Sequence, residues 1–468
     1  MDLTGSDAVT LRQLMREGAI SSASLVERLI DRTLSNSALN GYVSFDPALL
    51  RAQALSADAR IAAAEDLPLL GIPIALKDNV DAVGWPCGAG TAALHGRHPA
   101  RDAEVVRRLR AAGALIAGKA GMHELAFGIT NNNAVTGPVR NPWDRRRIPG
   151  GSSGGCGCVV AAGLVPVAIG TDTGGSVRVP AALCGLAGLR PTIGRYPGDG
   201  IAPISKTRDT AGPLARSIRD CALVDQVLSR TSESMVPADL AGVRLGLPRQ
   251  HFREDLDADV AATVQRCVDL LRTAGVEFVE VDVEGIAQAS AAAGFPIALY
   301  EFVRDMGAYL RETGRDVSLE ALVAGIGSPD VAGVVRPLLG GGAVPESAYR
   351  DALEQRRTLQ RLYADLFSRE RIEGLVFPTT PRTASLIGED ETVELNGHPS
   401  PTFPTFIRNT DPGSNAGIPG LTIPAGLSKG LPVGLAIDGP AGTDRRLLGI
   451  AAAIEALLPA TGTAPVPG

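Results

Sequence analysis

Three serines are placed where they could do chemistry. Ser152 and Ser153 sit in the run GGSSGG (150–155), and Ser176 sits in TDTGGSVR (171–178). A serine hydroxyl is a weak nucleophile until a neighbouring base takes its proton. The common base is histidine, yet none lies between these runs; the flanking ones are His123 and His251. Lys77 is the other candidate. It ends the apolar run GIPIAL and begins KDNVD. On spacing alone the plain reading is a strand-end lysine pointing to water. The sharper reading turns it inward, where burial penalises the charged form and lowers its pKa. A neutral amine accepts a proton near pH 7.

Two other motifs compete for these residues and fail on context. GGSSG fits the G-x-S-x-G nucleophile elbow, which needs a strand before it and a late histidine. The preceding NPWDRRRIP is loop-like, and the late His398 lies in the polar stretch ELNGHPSP, read as a loop. GALIAGKA (113–120) falls one residue short of a phosphate-binding loop: Ala120 stands where a Ser or Thr would hold magnesium. Lys119 then reads as a strand-end lysine. The six cysteines (87, 156, 158, 184, 221, 267) form no CxxC and no metal-like spacing with histidine. They read as buried reduced thiols, Cys156 and Cys158 as small packing residues. No metal or cofactor is expected.

These side chains need a frame. Residues 8–64 read as helices, with SASLVERLIDRTL capped by Ser22 or Ser24. PLLGIPIALKDNVD reads as a buried strand. A helix ending near Gly113 precedes a strand at Ala114–Ala117. A second helix, Gly163 and a strand at Val165–Ile169 repeat the theme before the glycine loop. SVRVPAALCGLAG opens a further helix at Ser176. LAGVRLGLPRQ and GVEFVEVDV flank a helix, 283–370 is mostly helical, and 374–381 and 420–439 return to strand. DRRLLGIAAAIEALL is the last helix, and the tail PATGTAPVPG reads as frayed. This alternation predicts an α/β fold with a mixed β-sheet core covered by helices on both faces. One domain is expected over 1–468, divided as 1–65 N-terminal helices, 66–230 core, 231–370 variable part and 371–468 return to the sheet.

The chain is 45% hydrophobic and carries a formal charge of −6. Nothing there favours nucleic acid or an anionic membrane. Asp144-Arg145-Arg146-Arg147 reads as a solvated loop. The N-terminus lacks an apolar core of signal-peptide type, and Cys156–Gly170 is too short and broken to span a bilayer. A cytoplasmic monomer or homodimer is expected.

GGSSGG, followed 24 residues after Ser152 by the serine of GTDTGGSVR, with a lysine 75 residues upstream, closely resembles the amidase signature family. GIPIALKDNVD, RDAEVVRRLRAAGALIAGK, GMHELAFGITNNNAVTGPVRNPWD, PAALCGLAGLRPTIGRYP, NAGIPGLTIPAG and GLPVGLAIDGPAGTDRRLL carry the same resemblance. It implies Ser176 as nucleophile, Ser152 as bridging serine with a cis peptide, and Lys77 as ultimate base. It also implies an oxyanion hole from the backbone N–H groups of Thr173, Gly174, Gly175 and Ser176. Ser153, Asp172 and Arg178 are expected as structural support, the latter two as an ion pair. The usual GKTNM reads GKAGM here. Ala120 and Gly121 therefore stand at positions that lie near the acyl pocket in the family, and Cys156 and Cys158 replace its small Ser/Ala residues.

Within the family the chain looks closest to indoleacetamide and mandelamide hydrolases, on MHELAFGITNNN, GRYPGDGIAPIS and FPIALYEFVRDM. The resemblance implies hydrolysis of a small aryl-acyl amide to an acid plus ammonia or amine. A carbamate, anilide or ester hydrolase on the same residues is the alternative. The reading of another class is a glutaminase subunit of a tRNA-dependent amidotransferase, which normally carries glutamine where Val179 stands. Pocket candidates are Met122, Leu125, Phe127, Gly128, Thr130, Tyr300, Phe302 and Phe403, with Phe295 and Phe406 as further aromatics. Residues 283–310 are a candidate lid.

Overall fold

Eleven strands make the central sheet of the computed structural model, which describes residues 3–466. In chain order they are β1 (Tyr42–Ser44), β2 (Pro73–Lys77), β3 (Leu115–Ala120), β4 (Val167–Asp172), β5 (Ala187–Arg190) and β6 (Thr210–Ala215). Then come β7 (Arg244–Pro248), β8 (Glu277–Val281), β9 (Gly374–Pro378), β10 (Gly420–Ser428) and β11 (Leu431–Asp438). The spatial order is β1-β3-β2-β4-β6-β5-β10-β11-β9-β7-β8. Pairing is parallel for β3-β2-β4 and for β9-β7-β8, and antiparallel between. The sheet is therefore mixed, as the alternation of elements requires.

Helices cover both faces. They are α1 (Ala8–Arg16), α2 (Ser22–Ser35), α3 (Pro47–Ala62), α4 (Glu104–Ala111), α5 (Gly154–Ala161), α6 (Arg178–Cys184), α7 (Ile218–Ser229) and α8 (Ala258–Thr273). The later ones are α9 (Ile286–Glu312), α10 (Leu319–Ala324), α11 (Pro329–Val335), α12 (Glu346–Glu370), α13 (Thr402–Ile407), α14 (Asp411–Ala416) and α15 (Asp444–Leu457). The period-2 geometry of a strand sends alternate side chains to opposite faces. Ile74 and Leu76 of β2 join the core under α1, α4, α7, α8 and α15. Ala75 joins the core under α2, α3, α5 and α6. Lys77 shares the parity of Ala75 and so turns toward the α5–α6 side.

Several expectations are corrected. α2 is capped by Ser21, not by Ser22 or Ser24: Ser21 and Ser24 close a reciprocal capping box, and the Ser22 hydroxyl donates to Gly71 O at 2.9 Å. The strands expected at Ala114–Ala117 and Val165–Ile169 run on to Ala120 and Asp172. Their polar ends are buried and paired on both sides, so polarity did not end them. β1 was read as helical surroundings; three residues are too few to show alternation. The stretch around His398 is a hairpin, 392–395 against 398–401, not a loop. Its turn residues Asn396 and Gly397 both have positive φ (52° and 84°), which is the two-residue Asn-Gly hairpin chemistry. The tail is not wholly frayed, since Ala464 is buried and Val466 packs on the α5-side core. The basic run is tied down as well. Asp144 takes Arg146 and Arg147, and Arg147 reaches Ala384 O at 2.7 Å.

α9 is long and apolar enough to cross a membrane by length and composition, with an 18-residue window of mean hydropathy 1.2. Half of that window is buried in the protein. Its buried Glu301 accepts from Ser205 Oγ (2.6 Å), Thr207 N (3.0 Å) and the Tyr349 hydroxyl (2.7 Å). We read it as a core helix.

Candidate active site

Lys77 stands at the C-terminal end of β2, between β3 and β4, and no part of it reaches solvent. Its Nζ lies 2.8 Å from Ser152 Oγ and 2.8 Å from Thr171 Oγ1. Burial pushes the ammonium down from 10.5 to about 7, while Cys156, Asp172 and Asp209 pull weakly the other way. Ser152 is equally buried, and the Gly151–Ser152 peptide is cis. Its carbonyl accepts from His123 N. Glycine follows for steric reasons: a Cβ on Gly155 would overlap the backbone of Gly121, whose carbonyl accepts from Gly155 N at 2.9 Å. Ser153 ties the run to β4, its hydroxyl donating to Thr171 O (3.1 Å) and accepting from Thr171 N (3.3 Å).

The second serine loop leaves the end of β4. α6 begins at Arg178 with Val177 as N-cap, so Ser176 lies just outside the helix that was expected to open on it. Ser153 N donates to Ser176 O at 3.3 Å, which sews the two serine loops together. Among the described residues, no protein acceptor takes the N–H groups of Gly174, Gly175 or Ser176. Gly175 is obligatory because a Cβ there would overlap Thr410 Oγ1. Beneath the loop, Asp172 accepts from Val177 N (3.1 Å) and lies against two buried guanidiniums, Arg178 (3.3 Å) and Arg190 (3.0 Å). Ser414 Oγ donates to the same carboxylate at 3.0 Å. Burial alone would raise this carboxyl; the two arginines hold it well below the usual range.

Ser176 opens onto a cavity of about 270 Å³. Of the expected residues, Phe127, Gly128, Thr130 and Phe403 line it, and so does Phe295, which pairs with Phe403 at 6.1 Å between ring centroids. Four do not. Met122, Leu125 and Phe302 are buried core, Phe302 set edge-on to the back of Phe127, and Tyr300 stacks on Tyr349. Phe406 is core, and Ala120 and Gly121 do not reach this cavity. Residues 286–312 form a packed helix, whose Phe295 and Ala298 make a wall. The reading of the sequence missed Ile129, Ile204, Val334 and Ile407 on the apolar wall. It also missed Arg208, Asp330, Asp390 and Asp411 among the polar ones. Arg208 pairs with Asp411, Asp330 with His123 Nε2 (2.9 Å), and Asp390 accepts from Thr130 and Asn132. Isolated charges in polar stretches carry no periodic signal, which is why they were passed over.

Lys119 is not a strand-end lysine in water. It is wholly buried in β3 and donates to Val80 O (2.6 Å) and Pro86 O (3.2 Å), clamping the loop that follows Lys77. All six cysteines are unbridged and buried. Burial raises the Cys156 thiol to about 12 and the Cys158 thiol further, so neither is a ready thiolate. Among the described residues, no group of three or more His, Cys, Asp or Glu is placed to hold a metal.

A family model described as Amidase matches residues 24–448. The chain is 45% identical over 450 residues to an indoleacetamide hydrolase of Agrobacterium vitis, covering 96% of each. It is 42% identical to a mandelamide hydrolase of Pseudomonas putida, covering 97% of this chain and 91% of that one. A crystal structure of an amidase superposes with a TM-score of 0.86 at 33% identity, covering 97% of this chain and all of the other.

Proposed function

This chain belongs to the amidase family and is a hydrolase of amide C–N bonds, and from that premise we propose that Lys77, Ser152 and Ser176 form its proton relay and nucleophile. The observation that carries the reading is a wholly buried lysine amine, depressed to about 7, set 2.8 Å from the Ser152 hydroxyl. In its neutral form the Lys77 amine accepts from Ser152, which in turn takes the proton of Ser176. Ser176 Oγ attacks the amide carbonyl. The uncommitted N–H groups of Gly174, Gly175 and Ser176, with that of Thr173, meet the oxyanion as it forms. The relay returns a proton to the leaving nitrogen, and water later frees the acid from the Ser176 ester. Asp172, Arg178 and Ser153 hold the two loops in register.

We propose a small aryl-acyl amide as substrate. The relatives named above are an indoleacetamide and a mandelamide hydrolase. The cavity beside Ser176 suits a flat ring, being walled by Phe127, Ile129, Ile204, Phe295, Phe403 and Ile407. A fluorophosphonate probe is expected to label wild-type protein at Ser176 and to leave Ser176→Ala unlabelled. Turnover of indole-3-acetamide and mandelamide is expected to exceed that of aliphatic amides and glutamine by at least tenfold in kcat/KM. Equal or greater rates on aliphatic amides defeat the substrate class, and labelling elsewhere defeats the relay.

A further inference from the structure

The cavity beside Ser176 is mostly apolar, yet four of the residues lining it carry charge: Arg208, Asp330, Asp390 and Asp411. Two of the three carboxylates face basic side chains. Asp411 pairs with Arg208. Asp330, its side chain 45% exposed, accepts from His123 Nε2 at 2.9 Å. That nitrogen is the donor because Nδ1 of the ring already accepts from Asn131 N at 3.1 Å. Asp390 is different. It is half-buried and makes no ion pair among the described residues. Its partners are two neutral donors, Thr130 Oγ1 to Oδ1 (2.7 Å) and Asn132 Nδ2 to Oδ2 (2.6 Å). A carboxylate accepts about four hydrogen bonds, so each oxygen keeps an open acceptor position. The donors also fix where the group stands. Thr130 belongs to the wall that includes Phe127 and Ile129, and it ties the carboxylate to that wall.

Resting on the aryl-amide reading above, we propose that Asp390 is a specificity residue that accepts a hydrogen bond from an N–H on the ring of the acyl group. The substrate class narrows from aryl amides at large to those whose ring carries a donor. Ser176 and Asp390 line the same cavity of about 270 Å³, room for one small ligand, so an acyl group attached at Ser176 carries its ring toward the carboxylate. Phe127, Ile129, Phe295 and Phe403 suit the faces of a ring but offer nothing to an N–H at its edge. Arg208 is a donor and cannot accept, Asp411 is drawn to Arg208, and Thr130 Oγ1 already accepts from Asn132 N at 3.3 Å. Asp390 is the acceptor left for the ring, and its charge makes the bond stronger than one between neutral groups. A ring without a donor strips water from the carboxylate and returns nothing, which is how a polar pocket group rejects an analogue that cannot pair with it. Because Asp390 is half-buried, water competes for it and the selection is moderate.

The test compares indole-3-acetamide with 1-benzofuran-3-acetamide, where oxygen replaces the ring N–H at nearly the same size. Wild-type kcat/KM is expected to favour the indole at least fivefold, with the difference in KM. In Asp390→Ala the preference should shrink to within twofold. Thr130→Val, which unties the carboxylate from the wall, should at least halve it. In Asp330→Asn, which alters the other carboxylate at the mouth, it should stay above threefold. Equal rates on the two amides in wild-type protein overturn the proposal. So does a preference that survives Asp390→Ala or Thr130→Val, or one that Asp330→Asn removes equally. Each value is a ratio of two substrates on one preparation, so partial loss of folded protein cancels. Wild-type protein that hydrolyses aliphatic amides but neither of these aryl amides fails the substrate reading instead, a separate result.

Discussion

On the proposed relay, a single amine sets the pH behaviour of the centre. Lys77 is depressed from 10.5 to about 7 by burial, and only its neutral form can accept from Ser152. kcat/KM on an arylacetamide is therefore expected to fall about tenfold per pH unit below about 7 and to level off above it. The same shift is a statement about folding. Between pH 7 and 10.5 the unfolded lysine holds a proton that the folded one lacks, so stability rises with pH across that window. Each pK unit corresponds to about 1.4 kcal/mol. The wild-type protein should thus gain on Lys77→Met by several kcal/mol between pH 7 and 10 in denaturant titrations, and a flat difference would place the charge in solvent. The residues of the proposed relay were singled out in the sequence by the joint resemblance to the amidase signature family, since on spacing alone Lys77 reads as a strand-end lysine in water. Whether the lysine faced in or out was not legible, since parity within β2 shows only once the flanking cores are known. Asn79 and Thr171, which complete the lysine's surroundings, sit two residues after Lys77 and five before Ser176, and composition alone does not flag them.

Elements are docked by carboxylates at helix starts. Asp220, in the first turn of α7, accepts from Ala8 N (2.9 Å) and Val9 N (3.0 Å) at the start of α1. Glu455 of α15 accepts from Ile218 N (2.9 Å) at the start of α7. Burial raises both carboxyls to about 7, with Asp7 adding to the effect on each. Unfolded carboxylates ionise near 4. The folded groups therefore hold protons between pH 4 and 7 that the unfolded chain has released, and stability falls as pH rises through that range. Asp220→Ala is expected to cost about 1–3 kcal/mol in thermal unfolding at pH 6, because two buried N–H groups lose their acceptor. A neutral result would mean that α1 does not depend on this contact. At this scale the helices and most strands were legible from periodicity and glycine punctuation. The misses are β1 and the 392–401 hairpin, which are short; β5, whose first residues were read as the end of α6, and β6, both wholly buried and interrupted by glycine or proline; and the ends of β3 and β4, which are polar but buried. Local pattern cannot report a burial that distant segments impose.

The whole molecule converges on one buried charge cluster under the Ser176 loop. Asp172 comes from β4, Arg178 from α6, Arg190 from β5, Ser414 from α14 and Asp438 from the end of β11. Segments more than 260 residues apart in sequence thus meet under the Ser176 loop, and the C-terminal return of the chain is part of that loop's support. The two carboxylates are unequal. Asp172 is held low by two arginines, whereas burial raises Asp438 to about 6 and its Oδ2 has no partner among the described residues. The sign of each shift gives its contribution. The Asp172 anion stabilises the fold above its unfolded pKa and loses that as pH falls; the Asp438 anion is disfavoured, so stability drops as pH climbs through its range from about 4 to 6. Removing one partner of a buried pair leaves charge uncompensated, at about 3–5 kcal/mol. Asp172→Asn is therefore expected to lower stability by that order and to abolish fluorophosphonate labelling of Ser176. Asp438→Asn should cost at most about 1 kcal/mol at pH 5, below the value of about 6 to which burial raises it, where the carboxyl it replaces is already largely neutral. Equal losses in the two variants, measured by chemical denaturation at pH 5, where Asp172 is ionised and Asp438 largely neutral, would mean that the arginines do not distinguish the carboxylates and that the loop is held by packing alone.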